Sequence, residues 1–288
     1  MKAIIFGAAG QDGFYLKRLL ESRALEVIGV SRSGGFLKTD ITNYEAVSAL
    51  IKKESPDFIF HLAANSTTSH TALFENHAVI ATGTLNILES VKEFSPKTKV
   101  FISGSALQFL NEGKPIRETD PFAANDGYAV SRIQSVYAAR YFRSLGLQVY
   151  IGYFFNHDSP LRTERHIAKK ISAAAQRIAN GSNEILEIGD TSVIKEWSYA
   201  GDIVEAIWLL VNQDTVFEAN IGSGEGYSIK EWIEACSEKL NINLRPYLHE
   251  TKGYTSPYKI LIYENILIRS LGYKPEVSFH ELVNIMMQ

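Results

Sequence analysis

The fold is decided by the stretch Lys2-Ala3-Ile4-Ile5-Phe6-Gly7-Ala8-Ala9-Gly10-Gln11-Asp12-Gly13. Its apolar run from Ala3 to Phe6 has the length of one buried strand, and a helical pattern begins at Phe14. Three glycines lie between the strand and the helix, in the spacing G-x-x-G-x-x-G rather than G-x-G-x-x-G. An ordinary glycine-rich turn is the alternative, but a strand, a glycine-rich turn and a helix in this order favour a dinucleotide site.

Each glycine of such a turn has a separate task. The first permits a tight turn, the second lets backbone approach a pyrophosphate, and the third lets the helix pack close to the strand. The helix N-terminus then presents free N–H groups and the positive end of its dipole to the phosphates. The residues expected to hold the cofactor here are Gly7, Gly10, Gln11, Asp12 and Gly13.

Composition excludes several classes of protein. The chain has 288 residues, 45% of them hydrophobic, which suits one large α/β domain or a domain plus a lobe. A formal net charge of -3 does not indicate the basic surface that a nucleic-acid-binding protein needs. Cys236 is the one cysteine, so an intramolecular disulfide and a cysteine metal cluster are excluded, and we expect no metal. With no apolar run of membrane-spanning length and no signal-peptide pattern, we expect a soluble cytoplasmic protein.

The end of the second strand bears on the choice of cofactor. Leu25 to Val30 predicts this strand, and Ser31-Arg32-Ser33 follows where an acidic residue would bind the ribose of NAD. A cation between hydroxyls suits a 2′-phosphate instead. We therefore predict that the protein binds NADP(H), held in part by Ser31 and Arg32, with NAD(H) as the other possible cofactor. The alternative is that Arg32 is a solvated loop residue with no role in binding.

Strands and helices alternate through the first half of the chain. A third strand is predicted to end at Lys38–Thr42, with Asp40 and Ile41 beside the cofactor, and further strands at residues 57–62, 100–103 and 148–155. Helices are predicted at residues 44–53, 76–94 and 128–145. This alternation is typical of an α/β protein with a doubly wound parallel sheet.

Small or polar residues follow several predicted strands. Ligands of open α/β sheets bind outside the carboxyl ends of the strands, so these residues should meet the cofactor. The residues expected to do so are Leu62, Ala63, Ala64 and Ser103, with Ser105 close by. Tyr128 and Arg132 are four residues apart, so both side chains lie on one face of the following helix.

Four motifs carry a family resemblance. Gly10-Gln11-Asp12-Gly13-Phe14-Tyr15-Leu16 is similar to G-Q-D-G-S-Y-L, and Phe155-Asn156-His157-Asp158-Ser159-Pro160 resembles F-N-H-E-S-P. Lys169-Lys170-Ile171-Ser172 matches R-K-I-S, and the stretch from Lys195 to Asp202 resembles R-D-W-x-x-A-x-D. The chain thus resembles the extended short-chain dehydrogenase/reductases (the NAD-dependent epimerase/dehydratase family), in particular the GDP-mannose 4,6-dehydratases and GDP-4-keto-6-deoxy-mannose reductases. The resemblance covers residues 1 to about 240 and fades over 251–262, where the family's R-P-x-E segment is not found.

The resemblance implies an architecture. It implies a Rossmann-like doubly wound sheet with a smaller C-terminal substrate-binding lobe. The NADP-binding domain would comprise residues 1–158 plus about 199–224, and the lobe about 159–198 and 225–288. It also implies a nucleotide-sugar substrate, a place in polysaccharide biosynthesis, and a homodimer or homotetramer paired through the helices of residues 76–94 and 128–145. The substrate contacts it implies are Ser66, Asn156, Arg162, Lys170 and Lys195.

The resemblance also implies catalytic residues. The family uses a Ser or Thr, a Tyr, and a Lys four residues after the Tyr, to which Ser105, Tyr128 and Arg132 correspond. The resemblance implies that Tyr128 and Arg132 also contact the cofactor, with the cation holding the ribose. Arg132 thus keeps the positive charge of the Lys but carries it on a larger, planar guanidinium group. Leu107 stands where the dehydratases carry the Glu that moves the C5 proton.

Loss of that Glu argues against 4,6-dehydration and leaves hydride transfer with one proton donor. The reaction predicted is that of an NADP-dependent 4-ketoreductase or dehydrogenase acting on a GDP- or other NDP-(deoxy)hexose. An epimerase or weak dehydratase using the same site is one alternative. A non-catalytic NADP-binding homologue is the other, because the Lys is gone.

Overall fold

The computed structural model describes residues 1–288. Its strands are β1 (Lys2–Phe6), β2 (Glu26–Val30), β3 (Phe58–His61), β4 (Lys99–Ser105), β5 (Val149–Phe154), β6 (His157–Asp158), β7 (Leu186–Ile188), β8 (Ile194–Glu196), β9 (Ser198–Tyr199), β10 (Glu218–Ile221), β11 (Gly226–Ser228), β12 (Leu248–Glu250) and β13 (Ile260–Leu261). Its helices are α1 (Gln11–Ser22), α2 (Tyr44–Glu54), α3 (Leu73–Asn76), α4 (Gly83–Phe94), α5 (Gly127–Ser144), α6 (Ile167–Ala179), α7 (Ala200–Val211), α8 (Ile229–Leu240), α9 (Ile266–Ser270) and α10 (Phe279–Met286).

The central sheet has six strands in the order β10-β5-β4-β3-β1-β2, and every neighbouring pair is parallel. Their apolar runs are buried on both faces, as in Ala3, Ile4 and Ile5 of β1. Ala3 pairs with Val27 of β2 on one side and with Phe58 of β3 on the other. The strand order therefore reverses at β1, and the crevice of a doubly wound sheet opens there. The predicted α/β doubly wound fold is confirmed.

Helices cover both faces of this sheet. Helices α2, α4 and α5 pack side by side in one layer, and α1 packs against α7 in the other. No helix combines the length and the apolarity needed to cross a bilayer.

The predicted strand ending at Lys38–Thr42 is wrong. Only one isolated bridge, between Val30 and Leu37, forms near this segment. The Asp40 carboxylate accepts hydrogen bonds from the Thr42 backbone N–H at 2.9 Å and the Thr42 hydroxyl at 2.8 Å. Such an aspartate turn bends the chain away from the sheet, so β2 is the edge strand.

The helix predicted for residues 76–94 is interrupted near its start. A π-helical turn, His77–Thr82, separates α3 from α4. The Ile80 carbonyl oxygen accepts hydrogen bonds from the hydroxyls of Thr84 at 2.7 Å and of Ser135 on α5 at 3.1 Å. The two hydroxyls thus join the Gly83 N–H as donors to this carbonyl oxygen at the end of the π-helical turn.

A second apolar cluster lies outside the central sheet. Helices α6, α8 and α10 form it, and the rings of Trp197 and Trp232 stack with centroids 4.4 Å apart. The capping box predicted at the start of α8 is confirmed: the Ser228 hydroxyl accepts from the Glu231 N–H at 3.1 Å, and the Glu231 carboxylate accepts from the Ser228 N–H at 2.6 Å.

One buried carboxylate connects this second cluster to the central sheet. Glu196 ends β8, next to Trp197, and is fully buried. Its Oε2 accepts hydrogen bonds from the Ser223 N–H at 2.8 Å and the Gly224 N–H at 3.1 Å, just after β10. Its Oε1 accepts from the Tyr263 N–H at 2.8 Å, and the Tyr263 ring packs in the core of the central sheet.

Candidate active site

Two adjoining cavities open along the carboxyl edge of the central sheet. The outer one, about 520 Å³, lies over the point where the strand order reverses. The predicted cofactor residues that line it are Gly7, Gly10, Ser31, Arg32, Asp40, Ile41, Leu62, Ala63 and Ala64.

Gly7 keeps this cavity open at the turn after β1. Its φ is +94°, and a Cβ there would lie 2.7 Å from the Ala63 backbone nitrogen. A Cβ on Gly13 would overlap the Gly7 carbonyl oxygen, so Gly13 lets α1 sit close to the turn. Gly10 precedes α1 with no side chain capping the helix. The residues present therefore fit a dinucleotide with its pyrophosphate at the α1 N-terminus.

Gln11 lies apart from both cavities. It is buried, its Oε1 accepts from the Ser159 hydroxyl at 2.7 Å, and its amide donates to the Asp12 carboxylate at 3.1 Å. Gln11 and Gly13 were predicted to contact the cofactor, but neither lines a cavity. They instead determine the shape of the glycine-rich turn.

The inner cavity is about 260 Å³ in volume. Ten predicted site residues line it: Asp12, Leu62, Ser66, Ser103, Ser105, Tyr128, Arg132, Asn156, Arg162 and Lys195. Lys170 is not among them. Its ammonium group instead donates to the carbonyl oxygen of Glu187 in β7 at 2.6 Å, outside both cavities.

Ser105 is held by the turn that follows β4. Its Oγ accepts a hydrogen bond from the Leu107 N–H at 3.2 Å, and its own N–H donates to the Gln108 side chain at 2.9 Å. Since the hydroxyl oxygen is used as an acceptor, the hydroxyl hydrogen is free to donate to a ligand oxygen in the cavity.

Tyr128 and Arg132 come from the first turns of α5, which the Asp126 side chain caps by accepting from the Ala129 N–H at 2.8 Å. The Arg132 guanidinium carbon lies 5.1 Å from the centre of the Tyr128 ring. Arg132 is buried, and its Nη1 donates to both the carbonyl and the hydroxyl oxygen of Ser103. This places a fixed positive charge beside the tyrosine ring.

A largely buried ion pair joins the glycine-rich turn to the segment after β5. His157 Nε2 lies 2.9 Å from the Asp12 carboxylate, and His157 Nδ1 lies 2.8 Å from the Phe155 carbonyl oxygen. Both ring nitrogens face acceptors, so the pair is best satisfied by a doubly protonated imidazolium.

The pKa values of the pair shift accordingly. Burial alone would raise the pKa of Asp12, but the charge and hydrogen bond of His157 hold that pKa far below its usual range. Burial alone would lower the pKa of His157, but Asp12 reverses this and raises it.

Three basic side chains gather on the wall of the inner cavity. Burial lowers the pKa of Lys195 to about 8, and its ammonium nitrogen lies 4.4 Å from the centre of the Trp197 ring. Arg162 donates to the His157 carbonyl oxygen at 3.2 Å, and its Nε has no hydrogen-bond partner although buried. Burial, together with the charge of Arg162, lowers the pKa of His166 to about 4, so this ring is neutral at pH 7.

One carboxylate, Asp158, lies near these cations, with its oxygen 3.8 Å from Arg162 Nε. The Oδ1 of Asn156, also in the wall, is buried without a partner. A cavity with surplus positive charge and unpartnered polar atoms is suited to an anionic, hydrogen-bonding ligand.

Comparison with known proteins places the chain in a family. The family model described as GDP-mannose 4,6 dehydratase matches residues 32–286. The chain belongs to the GDP-mannose 4,6 dehydratase family. Among relatives, GDP-mannose 4,6 dehydratase 2 of Arabidopsis thaliana is 29% identical over 99% of this chain and 85% of its own length. A GDP-mannose 4,6-dehydratase of Vibrio cholerae is 30% identical over 84% of this chain and 73% of its own length.

Solved structures support the same fold. The UDP-glucose 4-epimerase of Thermus thermophilus, solved with NAD, aligns with a TM-score of 0.85 at 22% identity over 100% of this chain and 98% of that one. RMD from Pseudomonas aeruginosa, solved with NADPH, aligns with a TM-score of 0.88 at 19% identity over 99% of this chain and 97% of that one. This chain thus shares its fold with both of these proteins.

Two kinds of cavity residue escaped the sequence analysis. Glu75 lines the outer cavity and pairs with Arg32, from which it is 43 residues distant. Tyr258 and Leu261 line the inner cavity, and they come from the stretch where the resemblance to the GDP-mannose 4,6 dehydratase family fades. No local pattern marks any of them. His157, by contrast, lies inside the motif at residues 155–160 and could have been singled out from it.

Proposed function

We propose that this chain is an NADP-dependent 4-ketoreductase or 4-dehydrogenase of a nucleotide sugar. The observation that carries the proposal is the composition of the inner cavity. Ser105 and Tyr128 line it together, whereas Leu107, at the position of the dehydratase Glu, also lines it and cannot move a proton. A site with one proton donor and no carboxylate at this position supports reduction or oxidation in preference to loss of water.

The chain's own residues suffice for the proton part of the reaction. A nicotinamide, when bound, supplies or accepts the hydride at C4. In reduction, the Ser105 hydroxyl donates a hydrogen bond to the keto oxygen. Tyr128 transfers its phenolic proton to that oxygen, and the nearby charge of Arg132 stabilises the phenolate left behind. Oxidation runs through the same atoms in reverse.

The anionic part of the substrate is assigned to the basic wall. Arg162 and Lys195 would meet the diphosphate of a nucleotide sugar, and Asn156 would hydrogen-bond to the sugar or the diphosphate. The relatives named GDP-mannose 4,6-dehydratase support a GDP-sugar, and a UDP-glucose 4-epimerase of the same fold, solved with UDP-glucose, supports the wider class.

The cofactor is assigned as NADP(H). Arg32, flanked by Ser31 and Ser33, lines the outer cavity where a 2′-phosphate would lie. Residues 1–158 with 199–224 would hold the cofactor, and residues 159–198 with 225–288 would contribute to the substrate side, except that Leu261 and Tyr263 pack in the core of the central sheet.

A second candidate function is a binding protein without turnover. Its support is that Arg132 donates its hydrogen bonds to Ser103. The lysine ammonium group that the family carries at this position would be free to contact the cofactor ribose.

The test is a turnover assay with NADPH or NADH and GDP-4-keto-6-deoxy-mannose, with GDP-mannose in parallel. NADPH consumption that Tyr128→Phe abolishes, while cofactor binding persists, supports the reductase. Isomerised sugar without net NADPH loss indicates an epimerase, and a 4-keto-6-deoxy product from GDP-mannose indicates a dehydratase. Tight binding without product indicates the non-catalytic homologue.

A further inference from the structure

The outer cavity contains an acidic side chain that competes for Arg32. Arg32 Nη2 lies 3.0 Å from Glu75 Oε1. The other carboxylate oxygen, Glu75 Oε2, accepts a hydrogen bond from the Asn65 amide at 2.9 Å. The carboxylate is therefore held from two sides at the rim of the outer cavity, where the Arg32 side chain is 75% exposed.

Two carboxylates reduce the positive charge that Arg32 offers to a 2′-phosphate. Lys38 donates its hydrogen bonds to the carbonyl oxygens of Arg32 and Gly34, both at 2.9 Å, within the loop after β2. Asp40, a second carboxylate, lines the same cavity. The hydrogen bond from Arg32 is the main reason that the pKa of Glu75 lies below its usual value, so Glu75 is anionic at neutral pH.

We propose that Glu75 is a specificity-determining residue that weakens the binding of NADP(H) relative to NAD(H). The Glu75 carboxylate is paired with the Arg32 guanidinium to which a 2′-phosphate would bind, so NADP(H) must displace the carboxylate. NAD(H) has no 2′-phosphate and does not compete for Arg32. This inference rests on the proposed nicotinamide site.

The physical argument is one of exchanged ion pairs. An Arg–phosphate pair is strong when bidentate, but here it forms only after an Arg–carboxylate pair breaks. The released carboxylate also stays close to the phosphate and repels it. A ribose 2′-hydroxyl, in contrast, can donate to a nearby carboxylate, which is how acidic residues favour NAD in dinucleotide folds.

Glu75→Gln tests the proposal because it removes the charge and keeps the shape. Dissociation constants of NADPH and NADH are measured by nicotinamide fluorescence, and those of 2′,5′-ADP and 5′-ADP by competition. We expect NADPH and 2′,5′-ADP to bind about two- to fivefold more tightly at low salt, because the Arg32–Glu75 pair is exposed, with the gain shrinking as salt screens the charges. NADH and 5′-ADP should gain nothing.

The matched control is Glu89→Gln. Glu89 is 45% exposed and pairs with Lys92 at 3.2 Å, against 41% exposure and a 3.0 Å pair for Glu75, but it lines neither cavity. Its loss should leave all four constants unchanged. In an Arg32→Gln background the effect of Glu75→Gln on NADPH binding should be smaller, because the guanidinium for which the carboxylate and the phosphate compete is absent.

The outcomes separate this inference from the proposed function. If the wild type binds none of the four ligands, the proposed nicotinamide site fails. If it binds NADPH but Glu75→Gln changes the NADPH/NADH ratio no more than Glu89→Gln does, the role of Glu75 is overturned. Should Glu75→Gln fold poorly, Glu75→Ala replaces it: it also removes the charge at a 41% exposed position and should shift the ratio in the same direction, and no shift overturns the proposal.

Discussion

Arg132 and Ser103 are joined by two hydrogen bonds from one nitrogen, because Arg132 Nη1 donates to the Ser103 carbonyl oxygen and, at 2.8 Å, to its hydroxyl oxygen. The Ser103 hydroxyl in turn donates to the carbonyl oxygen of His61, the last residue of β3, at 2.9 Å. The arginine is thus anchored on the carboxyl ends of two neighbouring strands, beneath the proposed proton donor.

We expect the two Arg132 variants to behave differently. Arg132→Lys should keep or raise turnover, because an ammonium group preserves the charge that stabilises the Tyr128 phenolate. Arg132→Ala should lose turnover and about 1–3 kcal/mol of unfolding free energy, because the buried Ser103 carbonyl loses its partner. Steady-state kinetics and denaturant unfolding measure both effects. Equal loss of turnover in the two variants would contradict the assigned role of the charge.

The pair of Asp12 and His157 should give stability a dependence on pH. The folded pKa of His157 is raised, so its contribution is full below about pH 6.5 and is lost as pH rises through the folded value. The folded pKa of Asp12 is depressed, so its contribution is full above about pH 4 and is lost as pH falls further. The pair therefore stabilises most between these limits.

His157→Gln should lower the free energy of unfolding by about 2 kcal/mol near pH 5.5 and by less at pH 9. Urea unfolding at both pH values measures the difference. His249→Gln, at an exposed position, is the control. A loss that is the same at both pH values would mean that the histidine acts by packing alone.

Lys195 should make the binding of a nucleoside diphosphate depend on pH. Its pKa is near 8 in the free protein, so it loses its charge, and with it affinity for phosphate, as pH rises above that value. We expect GDP to bind more weakly at pH 9.5 than at pH 7, and Lys195→Arg to remove this dependence because arginine stays charged.

Equilibrium dialysis with GDP across this pH range provides the measurement. Lys195→Met should bind GDP weakly throughout, while Lys170→Met should bind it as the wild type does, since Lys170 lies outside the cavity. A flat profile in the wild type would exclude Lys195 from the phosphate contact.

Leu107→Glu should introduce slow elimination. The side chain lines the inner cavity, so the substitution places a carboxylate where the dehydratases carry theirs. Incubation with GDP-mannose and NADP should yield a 4-keto-6-deoxy product that mass spectrometry detects as loss of one water. Leu107→Gln, which has no carboxylate to take the proton, should yield none. Equal product from both variants would refute the proton-transfer argument.

Exposed aromatic residues on α5 predict a homodimer or higher oligomer. Tyr137 and Tyr141 are each 59% exposed and lie four residues apart, on one face of the helix, with Leu145 continuing it. Tyr141→Glu should therefore shift the mass measured by light scattering toward the monomer at micromolar concentration. Leu161→Glu, at a 48% exposed position away from this face, should not. A monomeric wild type would rule out pairing through α5.

Local patterns were sufficient to predict the sheet strands, α5 and the glycine-rich turn, because each rests on periodicity or spacing within a few residues. The segment Lys38–Thr42 failed because the Asp40 side chain, rather than strand propensity, decides its path. The sequence could not predict which charged residues pair with each other. Asp12 and His157 lie 145 residues apart, and only the folded chain brings them together. Lys170 was misplaced because a motif match does not tell which way a helical side chain points.

Glu196 ties the two apolar cores to each other through backbone N–H groups that have this carboxylate as their partner. Burial raises the pKa of Glu196 to about 8. If one core opened first, this carboxyl group would lose hydrogen-bond donors that compensate its burial, and the remaining core would be less stable by that cost. Neither core can therefore melt without weakening its neighbour. The chain should accordingly absorb heat in one sharp calorimetric transition, with a single melting temperature shared by the cofactor cavity and the substrate cavity.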